Sequence, residues 1–453
     1  MPDFRPFPAL RYAHDIDLSA VLSPPYDVLS DADAERLRAS DPHNITRIDV
    51  PEAQNYDAAA ELLWRWVEDG VLTSDMEDTL SIYRLSFTDA MGSPRQIVGV
   101  FGGLEVVDEV TDPLERATTD AVGTDQAIHG VLVDESDGSE PTDSSHDGSE
   151  TAGGAPDNSA ADATAPRRTT VLPHERTTPK AKTDRLELTQ ATSTNLSPVW
   201  GLSLARGLTD ALAAPGQIEG SVEVDGVVHT VEKISDPARI ETIRAIIASD
   251  DVLIADGHHR YAISRTYRDE VRSATGRTDT AAEQTLTFVN ELIDEQLSIE
   301  AIHRLYAGVD EAALRAGLAT RFDFAPLVSV TEASLARMVE LGRMIVVWAD
   351  GRAEWLIPHV DAFTDVRALD GVWLETALAD VPADVTYQHG LSEVLERVGQ
   401  GDLTAAILIR PTSIEEIRRT AREGLLMPPK STFFTPKLLT GWVLRPTEPL
   451  PGQ

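Results

Sequence analysis

The segment Asp251-Val252-Leu253-Ile254-Ala255-Asp256-Gly257-His258-His259-Arg260-Tyr261 constrains the fold more than any other part of the chain. Four consecutive apolar residues suit a strand buried on both faces, as in a sheet covered by helices. Gly257 permits a sharp turn, and Ile263, Tyr267 and Val271, four apart, then form the buried stripe of a helix that begins at His258 or His259. A strand that runs straight into a helix calls for an α/β or mixed α+β fold. It also sets the positive end of the helix dipole at the strand tip. Two imidazoles and a guanidinium at that point suit an anion, best a phosphate. In the purely structural alternative, Asp256 caps the helix and the His pair is exposed. A zinc site is the weaker reading, because adjacent helical residues point about 100° apart and one metal seldom takes both.

The remaining pattern divides the chain into four. Residues 1–116 alternate short helices and strands, with helix spacing at 31–38 and 58–69 and two strands near 81–86 and 95–107. Residues 117–166 hold eleven Asp or Glu and no Lys or Arg, among Ser, Thr, Gly and Pro, which reads as an acidic disordered insertion. Residues 167–308 carry the expected phosphate- and nucleotide-binding core, including a hairpin over 221–234 with Asp225-Gly226 at its turn and a helix over 236–249. Residues 309–453 read as a C-terminal α/β domain, with helices near 311–321, 333–341, 392–399 and 413–423 and strands at 344–348 and 405–409.

Charge narrows the classes of partner. Asp and Glu number 75 against 39 Lys and Arg, a formal net charge of −36 that repels nucleic acid and anionic lipid. An acid-rich chain with five lysines and the rest of its cations as Arg looks like a halophile's cytosolic protein, whose self-repulsion high salt would screen. Cys is absent, which excludes disulfides, thiolate catalysis and Cys-type metal sites. No apolar run is long enough to span a membrane, and the N-terminus lacks a secretory pattern, so a cytoplasmic location is expected.

Lysine placement marks two more segments. Lys180 and Lys182 fall within Leu172-Pro173-His174-Glu175-Arg176-Thr177-Thr178-Pro179-Lys180-Ala181-Lys182-Thr183-Asp184-Arg185, and Lys430 and Lys437 flank Ser431-Thr432-Phe433-Phe434-Thr435-Pro436. In a chain that otherwise uses Arg, a Lys suits a compact charge on phosphate. A fourth segment, Ser23-Pro24-Pro25-Tyr26-Asp27-Val28, holds Asp27 rigidly behind two prolines, whether as a turn or as a catalytic carboxylate.

Together, Pro24-Pro25-Tyr26-Asp27-Val28, Pro173-His174-Glu175 to Arg185, Asn195-Leu196-Ser197-Pro198, Ala255 to Tyr261, His303-Arg304 and Pro428-Pro429-Lys430-Ser431-Thr432 resemble, in order, the prokaryotic family called domain of unknown function 1015. The acidic stretch departs from that pattern as an insertion. More distantly, the Asp256 to Arg260 turn and Pro25-Tyr26-Asp27-Val28 are similar to motifs of the ParB/sulfiredoxin superfamily, which includes free-serine kinases. That resemblance implies a ParB/sulfiredoxin-like nucleotide-binding core with an additional C-terminal α/β domain, and a nucleotide's phosphates at the helix start. The expected activity is a phosphotransferase moving phosphate between ATP or ADP, with Mg²⁺, and a small hydroxyl metabolite such as serine. Gly257, His258, His259 and Arg260 would hold phosphate, with Lys180, Lys182, Arg185, Lys430 or Lys437 completing the clamp. Asp27, Glu175 or Asp256 would orient or deprotonate the acceptor. The alternatives are a metal-assisted phosphate-ester hydrolase using His174, Glu175, Asp256 and His258, and a nucleotide-sensing regulator without chemistry. No resident protein-held metal is expected in the leading reading.

Overall fold

The computed structural model describes residues 1–89, 92–108, 170–173, 182–364, 366–423, 427–428 and 430–449. The acidic stretch 117–166 and the segment with His174, Glu175 and Lys180 lie outside them. Residues 1–108 and 169–453 belong to one compact unit. The fold is mixed α/β.

The larger sheet has nine strands: β1 Phe4–Arg5, β2 Leu80–Thr88, β3 Pro94–Glu105, β4 Val171–Pro173, β5 Val199–Ser203, β6 Gln217–Val224, β7 Val227–Ile234, β8 Val252–Asp256 and β9 Gln284–Glu291. Their order is β4-β8-β5-β9-β3-β2-β7-β6, with β1 on β3. The pairs β8·β4 and β9·β5 are parallel and the others antiparallel. The expected Asp225-Gly226 hairpin is β6–β7, and both turn residues take positive φ, as a two-residue hairpin turn of matching twist requires.

Both faces of this sheet are covered at its centre, which explains the buried apolar runs of β3, β5 and β8, whereas β6 at the edge alternates with exposed polar residues. Alternate residues divide between two cores: Ile82, Val100, Val199, Val252 and Val289 face one way, and Tyr83, Phe101, Trp200, Leu253 and Phe288 the other. Helix α1 Tyr56–Glu68 lays Leu63 and Trp66 on the second face, joined by Leu188 of α2 Lys182–Thr192. Leu208 and Leu212 of α3 Leu208–Ala213, with Ile240, Ile243 and Ile247 of α4 Pro237–Ala248, close the first. Each such buried aliphatic side chain contributes about 1.5–3 kcal/mol.

A second, wholly antiparallel sheet contains β10 His303–Ala307, β11 Phe322–Leu327, β12 Met344–Trp348, β13 Ala353–Pro358, β14 Asp384–Gln388 and β15 Ala405–Leu408. Its order is β11-β13-β12-β15-β10-β14, so β14 is an edge strand. The chain then returns to the first sheet. Phe433–Phe434 pairs with Ile299–Glu300, Thr440 bridges Ser23, Leu444 bridges Leu10, and Arg445–Pro446 pairs with Thr194–Asn195. Phe434, Leu438, Trp442 and Leu444 are buried in the same core as Trp66 and Trp200. This return carries Lys437 to the tip of β8.

Candidate functional site

Strand β8 keeps Val252, Leu253, Ile254 and Ala255 buried, and Asp256 is its first residue to reach partial exposure. Gly257 follows at φ +83°, and helix α5 His258–Thr275 begins at once. The N-cap is Gly257, which has no side chain to bond the first turn, and the Asp256 carboxylate faces Arg260 and Lys437. Gly257 is required twice over. An L side chain is strained at that φ, and a Cβ there would stand 3.0 Å from Arg260 Nε.

Arg260 folds back over that glycine and links three segments. Its Nη2 lies 3.0 Å from Asp256 Oδ2 and 3.7 Å from Asp27 Oδ2, and its Nη1 donates to the Pro198 carbonyl. Lys437 Nζ reaches Asp256 Oδ1 at 3.4 Å and sits 4.3 Å over the Phe433 ring. Asp27 stands on the single turn Tyr26–Val28 that the two prolines introduce. Beside it, Arg185 lies 3.8 Å over the Tyr26 ring and donates from Nη1 to Asp49 Oδ1 at 3.1 Å. The Ser197 hydroxyl donates to the same carboxylate at 3.3 Å. Three carboxylates and three cations therefore balance at the tip of β8.

Electrostatics separates the three acids. Burial pushes the Asp256 carboxyl up, but Lys437, Arg260 and His258 together outweigh it and hold the group well below the usual carboxylate range. Asp49 is fully enclosed, and burial raises it despite Arg185, Arg260 and Ser197. Asp27, at 38% side-chain exposure, is the most accessible of the three, against 26% for Asp256 and 3% for Asp49. The guanidinium of Arg260 is held in its charged form against burial by Asp27 and Asp256. A cavity of about 40 Å³ opens beside the cluster between Tyr26, Asp49, Arg185, Ser197 and Arg260. That is room for a water or two, so a larger ligand would lie across the surface.

Asp27, Asp256, Gly257, Arg260, Arg185 and Lys437 come together here, with His258 and His259 half-buried in the first turn of α5. Lys182 opens α2. Lys430 is exposed, at φ +60°, and its carbonyl accepts from Arg304 Nη1. Glu175, His174 and Lys180 lie outside the described residues. Asp49 did not emerge from the sequence as a site residue, and Tyr26 and Ser197 did so only as parts of motifs. Among the described residues no three His, Asp or Glu side chains form a metal-holding group. No helix among them is long and apolar enough to cross a membrane.

The chain belongs to the family described as "Protein of unknown function (DUF1015)", which matches residues 4–113 and 159–372. No curated protein matches it in sequence. Among solved structures it is similar to a conserved hypothetical protein from Pyrococcus furiosus, at 12% identity and a TM-score of 0.32, over 58% of this chain and 87% of that one. It is also similar to a free serine kinase in complex with AMP, at 12% identity and a TM-score of 0.33, over 58% of this chain and 83% of that one. A third is SbnI with C-terminal truncation from Staphylococcus aureus, at 13% identity and a TM-score of 0.33, over 60% and 83% of the two chains.

Proposed function

We propose that this member of the family is a nucleotide-dependent phosphotransferase acting on a small hydroxyl metabolite, with serine the first acceptor to try. The observation that carries the reading is the pairing of Asp256 with Lys437 and Arg260 at the start of α5, with Asp27 across the same guanidinium. Phosphoryl transfer asks little covalent chemistry of a protein and much electrostatic positioning. Lys437 and the dipole of α5 supply positive potential where a transferring phosphate gathers charge. Arg260 fixes the two carboxylates relative to each other.

The acids then take different roles. A carboxylate held far below its usual range is a poor base, which suits Asp256 to orienting the cations. Asp27, more exposed and held from one side only, takes the proton of the acceptor hydroxyl. The hydroxyl oxygen bonds to the terminal phosphorus, the bond from phosphorus to the bridging oxygen breaks, and the nucleotide leaves one phosphate shorter. Mg²⁺ would arrive on the nucleotide, held by the phosphates and water, which leaves the Asp27 carboxylate to accept the proton.

The test is nucleotide turnover in molar KCl, with ATP or ADP, with and without serine. Consumption that needs the acceptor, and that Asp27→Asn slows by about 10²–10⁴ with nucleotide binding retained, supports the reading. Ester cleavage without nucleotide would make the protein a hydrolase. Nucleotide binding with no turnover would make it a sensor.

A further inference from the structure

The cluster at Asp256 does not end at Lys437. The Lys437 ammonium lies 4.3 Å over the centroid of Phe433, and the His389 ring is stacked on Phe433 at 4.1 Å and 13° between planes. Phe433 therefore touches both the ammonium and the imidazole and joins them. Phe433 is held in place by the pairing of Phe433–Phe434 with Ile299–Glu300. His389 comes from elsewhere, the turn between edge strand β14 and helix α6 Leu391–Gly399, and it is exposed. Two residues before it, Tyr387 is 45% exposed, with the Arg304 guanidinium 4.9 Å over its ring.

An ordered series Asp256–Lys437–Phe433–His389 thus runs from the charged cluster to an exposed, flat, heteroaromatic surface. Phe433 is half-buried and His389 exposed, so the stack presents an aromatic ring to solvent. We propose that His389, seated on Phe433, is the stacking platform for the base of the bound nucleotide. This rests on the phosphotransferase reading, which sets the phosphates against Lys437 and the start of α5. The platform then lies one phenyl ring away from the ammonium, within reach of a base whose phosphates sit against Lys437. Stacking is tolerant of base identity, because every base presents a π-face. The platform therefore binds nucleotides without a strict choice of base.

The experiment is calorimetric titration of the full chain in molar KCl with ADP and, separately, with inorganic pyrophosphate. His389→Ala is expected to weaken ADP about tenfold and leave pyrophosphate unchanged, and His389→Phe is expected to retain ADP affinity. Equal ADP binding by wild type and His389→Ala overturns the platform alone. An equal loss for ADP and pyrophosphate also overturns it, since the variant would then act on the phosphate site. Wild-type protein that binds neither ligand overturns the phosphate reading, and the platform with it.

Discussion

Lys437 Nζ stands 3.4 Å from Asp256 Oδ1, although the lysine belongs to the segment that returns from the second sheet and the aspartate to the tip of β8. The pair closes the return of the chain onto the first sheet and sets the potential of the candidate site in one contact. Removing the lysine leaves a largely enclosed carboxylate with one guanidinium in place of two cations. Lys437→Met is therefore expected to cost about 1–3 kcal/mol, the range of a charged hydrogen bond, and to weaken nucleotide binding at least about tenfold. Urea unfolding and nucleotide titration of the same variant measure the two effects. Unchanged nucleotide affinity would remove Lys437 from the binding site.

Gly257 is the pivot between β8 and α5. Gly257→Ala places a Cβ in a left-handed conformation, at about 1–2 kcal/mol, and sets it 3.0 Å from Arg260 Nε, so the guanidinium must shift slightly against its carboxylates. The expected result is a melting temperature lower by about 1–3 °C, with nucleotide binding weakened as well. Gly257→Val should be worse on both counts, because its branched Cβ resists the turn further. A Gly257→Ala protein that melts and binds like wild type would mean the turn is not what aims Arg260.

The turn at Gly257 was legible in the sequence because local rules suffice there. Apolar Val252 to Ala255, a glycine, then apolar positions four apart admit little else. The Asp225-Gly226 hairpin, α1 near 58–69 and the strands at 344–348 and 405–408 were legible for the same reason. Strand β14 was not, because its alternation of Val385 and Tyr387 spans only five residues and both side chains are exposed at the sheet edge rather than set against a core. Asp49 was hidden differently. Its partners are Arg185 and Ser197, and no spacing rule links an acid on a one-turn helix to a cation so far along the chain. The two roles of Arg260 were also only half readable. Sequence assigned it to a phosphate, whereas the structure gives both Nη atoms protein partners, so Arg260→Ala is expected to lower stability together with binding.

Two buried histidines make the fold sensitive to acid. Tyr83 hydroxyl lies 2.6 Å from His229 Nδ1, and the Ile409 N–H donates to His303 Nδ1 at 3.1 Å. Burial lowers His229 to about 4, and burial with the charges of Arg304 and His389 lowers His303 to about 4. The unfolded chain takes up these protons near 6.5, whereas the folded chain waits until about 4. Stability is therefore unaffected above about pH 6.5 and falls as pH drops from there to 4, by at most about 3 kcal/mol per histidine. Urea unfolding at pH 7, 6 and 5 and fixed KCl should show this decline, and His229→Gln should reduce it. A variant that declines as steeply as wild type would assign the acid sensitivity to other groups.

Salt tests the surface. With 75 acids against 39 Lys and Arg, the net charge of −36 opposes compaction, and the opposition depends on how far each charge is felt. The screening length is about 10 Å at 0.1 M salt and about 3 Å at 1 M, so neighbouring carboxylates that repel in dilute buffer are nearly independent in molar KCl. Many basic residues are already committed to ion pairs, as Arg84 is to Glu232, Arg367 to Glu416 and Arg410 to Asp370, so the excess acids find few partners among them. The melting temperature is therefore expected to climb steeply with KCl up to about 1 M and then flatten, as screening saturates. Excluded-solute stabilisation behaves otherwise, because it grows steadily with concentration and acts equally for sucrose, which carries no charge. Circular dichroism melts in KCl and in sucrose separate the two. A full native signal and an unchanged melting temperature at 0.05 M KCl would show that the acidic surface does not govern folding, and the expectation of a salt-adapted protein would fall with it.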